Sequence, residues 1–91
     1  MKGNIYEHRA SSRDVLFTKV EGLPEGLIQR PSQVIVEGEA TGHHHRLVAG
    51  RVLEAATGHL YLEVVRATQV VHQEHTPITL APGYYAATRQ L

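Results

Sequence analysis

Five of the seven histidines of this chain lie in two short segments. The first segment is Gly42-His43-His44-His45, and the second is His72-Gln73-Glu74-His75. Imidazole is the commonest metal ligand among protein side chains, and its unperturbed charge change lies near neutral pH. Two groups of histidines in a small chain therefore predict either a metal site or a site of proton transfer.

The spacing of the first segment decides which of its histidines can act together. Alternate side chains of a β-strand point to opposite faces of the sheet, so His43 and His45 would share one face and His44 would take the other. Two imidazoles at this spacing can reach one metal ion, because each Zn–N bond is about 2.0–2.1 Å long. We therefore expect His43 and His45 to be ligands, and His44 not to be one.

The second segment allows two arrangements. On a straight strand His72 and Glu74 would share a face and His75 would point away, whereas a turn or bulge between the histidines would bring both to one side. If the two segments converge, four histidines form an all-nitrogen ligand set, and Glu74 in place of one of them gives a mixed set typical of non-haem iron or catalytic zinc. The predicted metal ligands are His43, His45, His72, His75 and Glu74.

The ion that suits these ligands is a divalent transition metal. The chain has no cysteine, so disulfides, thiolate zinc sites and a cysteine nucleophile are excluded. Histidine nitrogen and carboxylate oxygen suit zinc first, and iron, copper or nickel as well. If four protein ligands surround the ion, the site is structural, and the small core of this chain slightly favours that alternative. If one coordination position stays open, the ion could support hydrolytic or oxygen chemistry.

Other interpretations of the histidines stay open. Polar turns often collect solvated histidines, and two histidines without a metal can serve as acid and base. Histidines can also line the interface of a self-associating structural protein, because an unpaired strand edge is a template for another chain. The sequence leaves enzymatic activity undecided, and we expect a homo-oligomer.

Length and charge narrow the class of protein. Ninety-one residues make one domain with a small core. Nine basic and nine acidic side chains cancel, so the chain lacks the positive charge of a dedicated nucleic-acid-binding protein. It has no apolar run near the roughly 20 residues that span a bilayer, and its N-terminus lacks the apolar segment of a secretory signal. We expect a cytoplasmic protein that binds neither nucleic acid nor membrane.

The rest of the sequence predicts short strands between turns. Runs of β-branched and aromatic residues alternate with Gly and Pro, and no stretch has a long helical period. We expect an all-β sandwich or barrel of about six to eight short strands in a single domain at 14–91. Residues 1–13 are predicted to be a polar N-terminal arm or a first edge element, with a loop at Ser11-Ser12. The predicted strands are 14–20, 33–37, 46–49, 51–54, 59–65, 68–72, 78–80 and 84–88.

One short pattern resembles a known family. Gly42-His43-His44-His45, followed later by Ala81-Pro82-Gly83-Tyr84, is similar to the cupins. These are small β-barrels with a Gly-rich His-x-His motif and a Pro-x-Gly turn beside a third histidine. The resemblance implies a barrel that places histidines together.

A longer pattern covers most of the chain: it begins with Asp14-Val15-Leu16, runs from Glu37 through His45 and from His72 to Tyr84, and closes with Arg89-Gln90. It resembles a set of small bacterial and phage-associated proteins that share G-E-x-T-G-H-x-H and H-x-E-H-x-x-I-x-L-P-x-G-x-Y. The resemblance implies no particular activity. Its polar signature falls on the five predicted ligands, and its phage-associated members make an assembly role the alternative to metal binding.

Overall fold

The computed structural model describes residues 9–12, 15–37, 44–73 and 75–89. In these ranges ten strands form two antiparallel sheets, and no helix is long and apolar enough to cross a membrane. The all-β prediction is confirmed. The strands are β1 (Arg9–Ser12), β2 (Val15–Val20), β3 (Ile28–Gln29), β4 (Val34–Glu37), β5 (His44–Leu47), β6 (Arg51–Glu54), β7 (Leu60–Val64), β8 (Thr68–His72), β9 (His75–Leu80) and β10 (Gly83–Arg89).

The two sheets share one core. The six-stranded sheet has the order β1-β2-β10-β7-β6-β3, and the four-stranded sheet has the order β4-β5-β8-β9. Along β2, β5 and β7 buried residues alternate with more exposed ones, as expected for strands with one packed face. Each fully buried large apolar side chain contributes about 1.5–3 kcal/mol, so both sheets depend on this shared interior. The core residues are Val15, Phe17, Ile35, Leu47, Val52, Leu62, Val64, Val70, Ile78, Leu80 and Tyr85.

The strand number exceeds the expected range because two strands have weak sequence patterns. β3 has only two residues, which is too short for an alternating pattern. β1 pairs with β2, with Arg9 opposite Thr18 and Ser12 opposite Val15. The loop predicted at Ser11-Ser12 is therefore wrong, because pairing with a neighbouring strand overrides the low strand propensity of serine. For residues 9–12 the edge-element alternative describes the structure.

The chain crosses between the sheets after β5. The strand predicted at 46–49 ends at Leu47, and the next two backbone N–H groups bond outside the β4–β5 ladder. The Val48 N–H donates to the Gln69 carbonyl at 2.9 Å, and the Ala49 N–H donates to Thr68 Oγ1 at 3.0 Å. Gly50 completes the crossing at a φ of 120°, a value that L side chains rarely adopt. β5 and β6 are therefore separate strands in different sheets.

Candidate metal site

The two histidine segments meet in the four-stranded sheet. His45 on β5 lies directly opposite His72 on β8, and His72 lies directly opposite His75 on β9. Three strands that are neighbours in the sheet, β5, β8 and β9, therefore each carry a histidine at the same rung of the ladder. Directly opposite residues of antiparallel strands have Cβ atoms about 4.5–5.5 Å apart, which is close enough for their side chains to share a ligand.

The rings of His45 and His72 are in contact. Their centroids are 4.5 Å apart, and the ring planes are tilted by 45°. Two imidazoles on one tetrahedral zinc ion have centroids roughly 5 Å apart, given Zn–N bonds of about 2.0–2.1 Å. A small rotation of either side chain would therefore bring the pair to the spacing of a shared ion.

Both rings lie on the core-facing side of the sheet. His45 is only 2% exposed, and Leu47, two residues along the same strand, is fully buried. His72 is half-buried and follows the buried Thr68 and Val70 in the same alternation. A buried polar ring costs free energy unless it is hydrogen-bonded or binds an ion.

His44 faces the other side of the sheet, as the alternation predicts. It is half-buried, and its backbone N–H donates to Gln73 Oε1 at 2.9 Å. Its Nδ1 lies 3.4 Å from Gln73 Nε2. His44 and His45 therefore point to opposite faces of the sheet.

The β8–β9 hairpin explains how His75 comes to lie beside His72. The chain turns at Gln73, so the straight-strand arrangement of the second segment is wrong. Beyond the turn the register shifts between the pairs Val70–Ile78 and His72–His75. One residue separates the two pairs on β8, and two, Thr76 and Pro77, separate them on β9.

This extra residue on β9 is a β-bulge. It lets His75 and Ile78, three apart in sequence, lie opposite two residues of β8 that are only two apart. Pro77 cannot donate a ladder hydrogen bond, and proline in a sheet is confined to edge strands and bulges. β9 is an edge strand of its sheet, so both conditions are met.

The five predicted ligands have different outcomes. His45 and His72 are brought together, and the backbone of β9 places His75 at the next position of the same rung. His43 and Glu74 lie outside the described residues. Among the described side chains there is no group of three or more His, Cys, Asp or Glu that could hold a metal ion. The described part of the site is thus a pair of ligands with a third histidine position beside it.

His59 does not join this row. It lies in the turn between β6 and β7, in the other sheet, and is exposed. Its Nδ1 is 3.1 Å from Thr57 Oγ1. This contact is local to the turn, which is the ordinary situation of a solvated histidine.

Two cavities were not predicted from the sequence. One, of about 230 Å³, lies beside His44, Arg46, Val71, His72 and Gln73. The other, of about 390 Å³, lies beside the ion pair in which Arg30 Nη1 is 3.1 Å from Glu54 Oε1. For the first cavity, the sequence offers only the spacing of His44 and Arg46, which are two residues apart on one strand. The strand register is needed to see that Gln73 lies next to them.

The chain belongs to the family described as a domain of unknown function (DUF8820), whose model matches residues 14–90. No curated protein and no solved structure matches the chain. The matched range includes both histidine segments and every strand from β2 to β10 in full. The histidine row therefore lies within the residues that match the family model. Because the family has no assigned function, the function of this row has to be argued from the geometry of the row.

Proposed function

We propose that this protein binds a divalent metal ion, with zinc as the first choice, through His45, His72 and His75. The observation that carries the proposal is the row of three histidines on β5, β8 and β9 at one rung of the four-stranded sheet. His43, two residues before His45 in the sequence, or Glu74, directly before His75, would complete the ligand set. Iron, copper and nickel accept the same ligands.

The burial of His45 supports the proposal, because a ring whose orientation is fixed by core packing is already positioned to hold an ion. The 4.5 Å separation of the His45 and His72 rings supports a shared ion, because it lies close to the spacing that one tetrahedral ion requires. The hairpin and bulge support the participation of His75, because they bring it to the same rung.

We favour a structural role for the ion over a catalytic one. An ion held by three strands would tie the edge strand β9 to β5 across β8. Binding at a free metal concentration of 1,000 times Kd would stabilise the fold by about 4 kcal/mol, a large fraction of the stability of a small domain. A catalytic ion needs an open coordination position that substrate can reach, and His45 is nearly inaccessible to solvent.

Titration with Co²⁺ tests the proposal, because four-coordinate cobalt absorbs strongly in the visible and reports on zinc sites directly. We expect saturable absorption at one ion per chain in the native protein and its loss in His45→Ala. His59→Ala is the matched control and should bind as the native protein does, because His59 lies in the other sheet. Absence of binding by the native protein, or equal loss in both variants, would contradict the proposal.

A second candidate function is self-assembly, and one observation favours it. Ile28 is 74% exposed and lies on β3, the edge strand of the six-stranded sheet. An edge strand with an exposed apolar side chain is a template for pairing with another strand. A second copy of this chain, paired through β3, would bury Ile28 and fit the assembly role implied by the phage-associated resemblance.

A further inference from the structure

The four-stranded sheet carries a small cavity beside the β8–β9 hairpin turn, lined by His44, Arg46, Val71, His72 and Gln73. The cavity has a volume of about 230 Å³. His44 and Arg46 line it from β5, and Arg46 lies directly opposite Val71 of β8. Gln73 follows at the start of the hairpin turn. His72 also lines the cavity, so the cavity borders one of the proposed metal ligands, whereas His45 is not among its lining residues.

Gln73 is held with its amide N–H groups available to the cavity. Its Oε1 accepts the backbone N–H of His44 at 2.9 Å. Its Nε2 lies 3.4 Å from His44 Nδ1, which makes it a weak donor to that ring. The amide oxygen is thus engaged by the backbone, and the amide nitrogen retains a second N–H that can be donated to a ligand.

Arg46 supplies a positive charge beside this amide. It is exposed, and the ion pairs among the described residues, Arg30–Glu54 and Arg51–Glu63, do not include it. No described residue that lines the cavity is acidic. Guanidinium presents its donors in a planar fork that matches the oxygens of carboxylate and phosphate groups. The described polar groups that Arg46 and Gln73 direct to the cavity are therefore donors.

We propose that this cavity binds a small oxyanion, with the Arg46 guanidinium as the principal donor and the Gln73 amide as the second. Val71 forms an apolar wall between the two strands. The ligand is a phosphate or carboxylate group, free or as part of a small molecule. His72 lines this cavity too, so the site adjoins the proposed metal site, but its two donors, Arg46 and Gln73, are not among the proposed metal ligands.

NMR titration of the native protein tests this inference, with inorganic phosphate and acetate as the two probes at constant ionic strength. We expect saturable shifts of the Arg46 Nε–H and Gln73 side-chain amide signals with at least one probe. Arg46→Gln should weaken binding by about tenfold or more, since a charge-assisted hydrogen bond contributes about 1.5–3 kcal/mol. The stronger probe then distinguishes a phosphate site from a carboxylate site.

Arg66→Gln is the matched control. Arg66 is also exposed, but it lies in the turn between β7 and β8 and does not line the cavity. The variant should bind within a factor of about two of the native protein, since a distant surface charge acts weakly at physiological salt. Equal weakening in both variants would mean general charge attraction and would overturn the inference. So would shifts centred on the ring of His45, which does not line the cavity, or an absence of saturable shifts with either probe.

Discussion

At the scale of single residues, the contrast between His44 and His45 decides what the first histidine segment can do. The two are adjacent in sequence, yet His45 is 2% exposed on the core side while His44 bonds to Gln73 on the other. Strand alternation predicts this contrast from sequence alone. The burial of His45 is not predictable in the same way, because it depends on which sheet covers that face. The residue types therefore identify the candidate ligands, and packing distinguishes the buried candidate from the more exposed one.

Tyr85 gives a prediction at the same scale. Its side chain is fully buried, and its hydroxyl donates to the Ala81 carbonyl at 2.6 Å. Burial raises the pKa of Tyr85 above its usual value of 10.0. The folded chain thus keeps a proton that the unfolded chain loses above pH 10. The stabilisation from this group is fully present below pH 10 and disappears as the pH rises through the pKa of the folded state.

We expect Tyr85→Phe to lower the free energy of unfolding by about 1 kcal/mol at neutral pH, because the buried hydrogen bond is lost. The variant should also lose part of the decline in stability that the native protein shows above pH 10. Urea unfolding at several pH values measures both effects. Tyr84→Phe is the control, since Tyr84 is only half-buried. An unchanged alkaline decline in Tyr85→Phe would contradict this account.

At the scale of elements, the sequence predicts most strands, but neither their register nor the bulge. Runs of apolar residues bounded by Gly and Pro identify β2, β7 and β8 within a residue or two. The rung shared by His45, His72 and His75 depends on the pairing of β5 with β8, which no local pattern specifies. It also depends on an extra residue on β9, to which Pro77 is only a hint. The ligand types were thus predictable, and their alignment was not.

The crossing from β5 to β6 is the most sensitive connection described. A Cβ at Gly50 would lie 2.6 Å from the Glu63 carbonyl oxygen and 3.0 Å from Leu47 Cδ2. We expect Gly50→Ala to lower the free energy of unfolding by about 3 kcal/mol or more, since a backbone clash adds to the strained φ. Chemical denaturation measures the effect.

Gly58→Ala is the matched control for this connection. Gly58 also has a positive φ, of 94°, but a Cβ there would meet nothing within 4 Å. This variant should lose only about 1–2 kcal/mol, the cost of the left-handed backbone alone. A loss at Gly50 no larger than that at Gly58 would show that the close approach to Glu63 is unimportant.

At the scale of the whole molecule, the two sheets enclose one core and leave different edges. β1 at one end of the six-stranded sheet contacts β9 of the other sheet, and β3 forms the opposite end. The proposed ion would join β9 to the centre of its own sheet. The proposed self-association would instead use β3. Metal binding and assembly thus depend on separate parts of the molecule and can be tested separately.

Ile28→Lys tests the assembly proposal. If copies pair through β3, the charged side chain should shift the native oligomer to monomer, because edge charges oppose strand pairing. Sedimentation velocity over a range of protein concentrations measures the change. Val65→Lys is the control, since Val65 is also 74% exposed but lies in a turn. A native protein that is monomeric throughout, or equal dissociation in both variants, would contradict pairing through β3.

The central claim is that the two histidine segments hold one metal ion, and elemental analysis tests it most directly. The untagged native protein would be purified without added metal or chelator, beside the His45→Ala/His72→Ala double variant and His59→Ala. We expect close to one equivalent of zinc, iron, copper or nickel per chain in the native protein and in His59→Ala, and its loss in the double variant. No metal in the native protein, or equal metal in the native protein and the double variant, would contradict the claim.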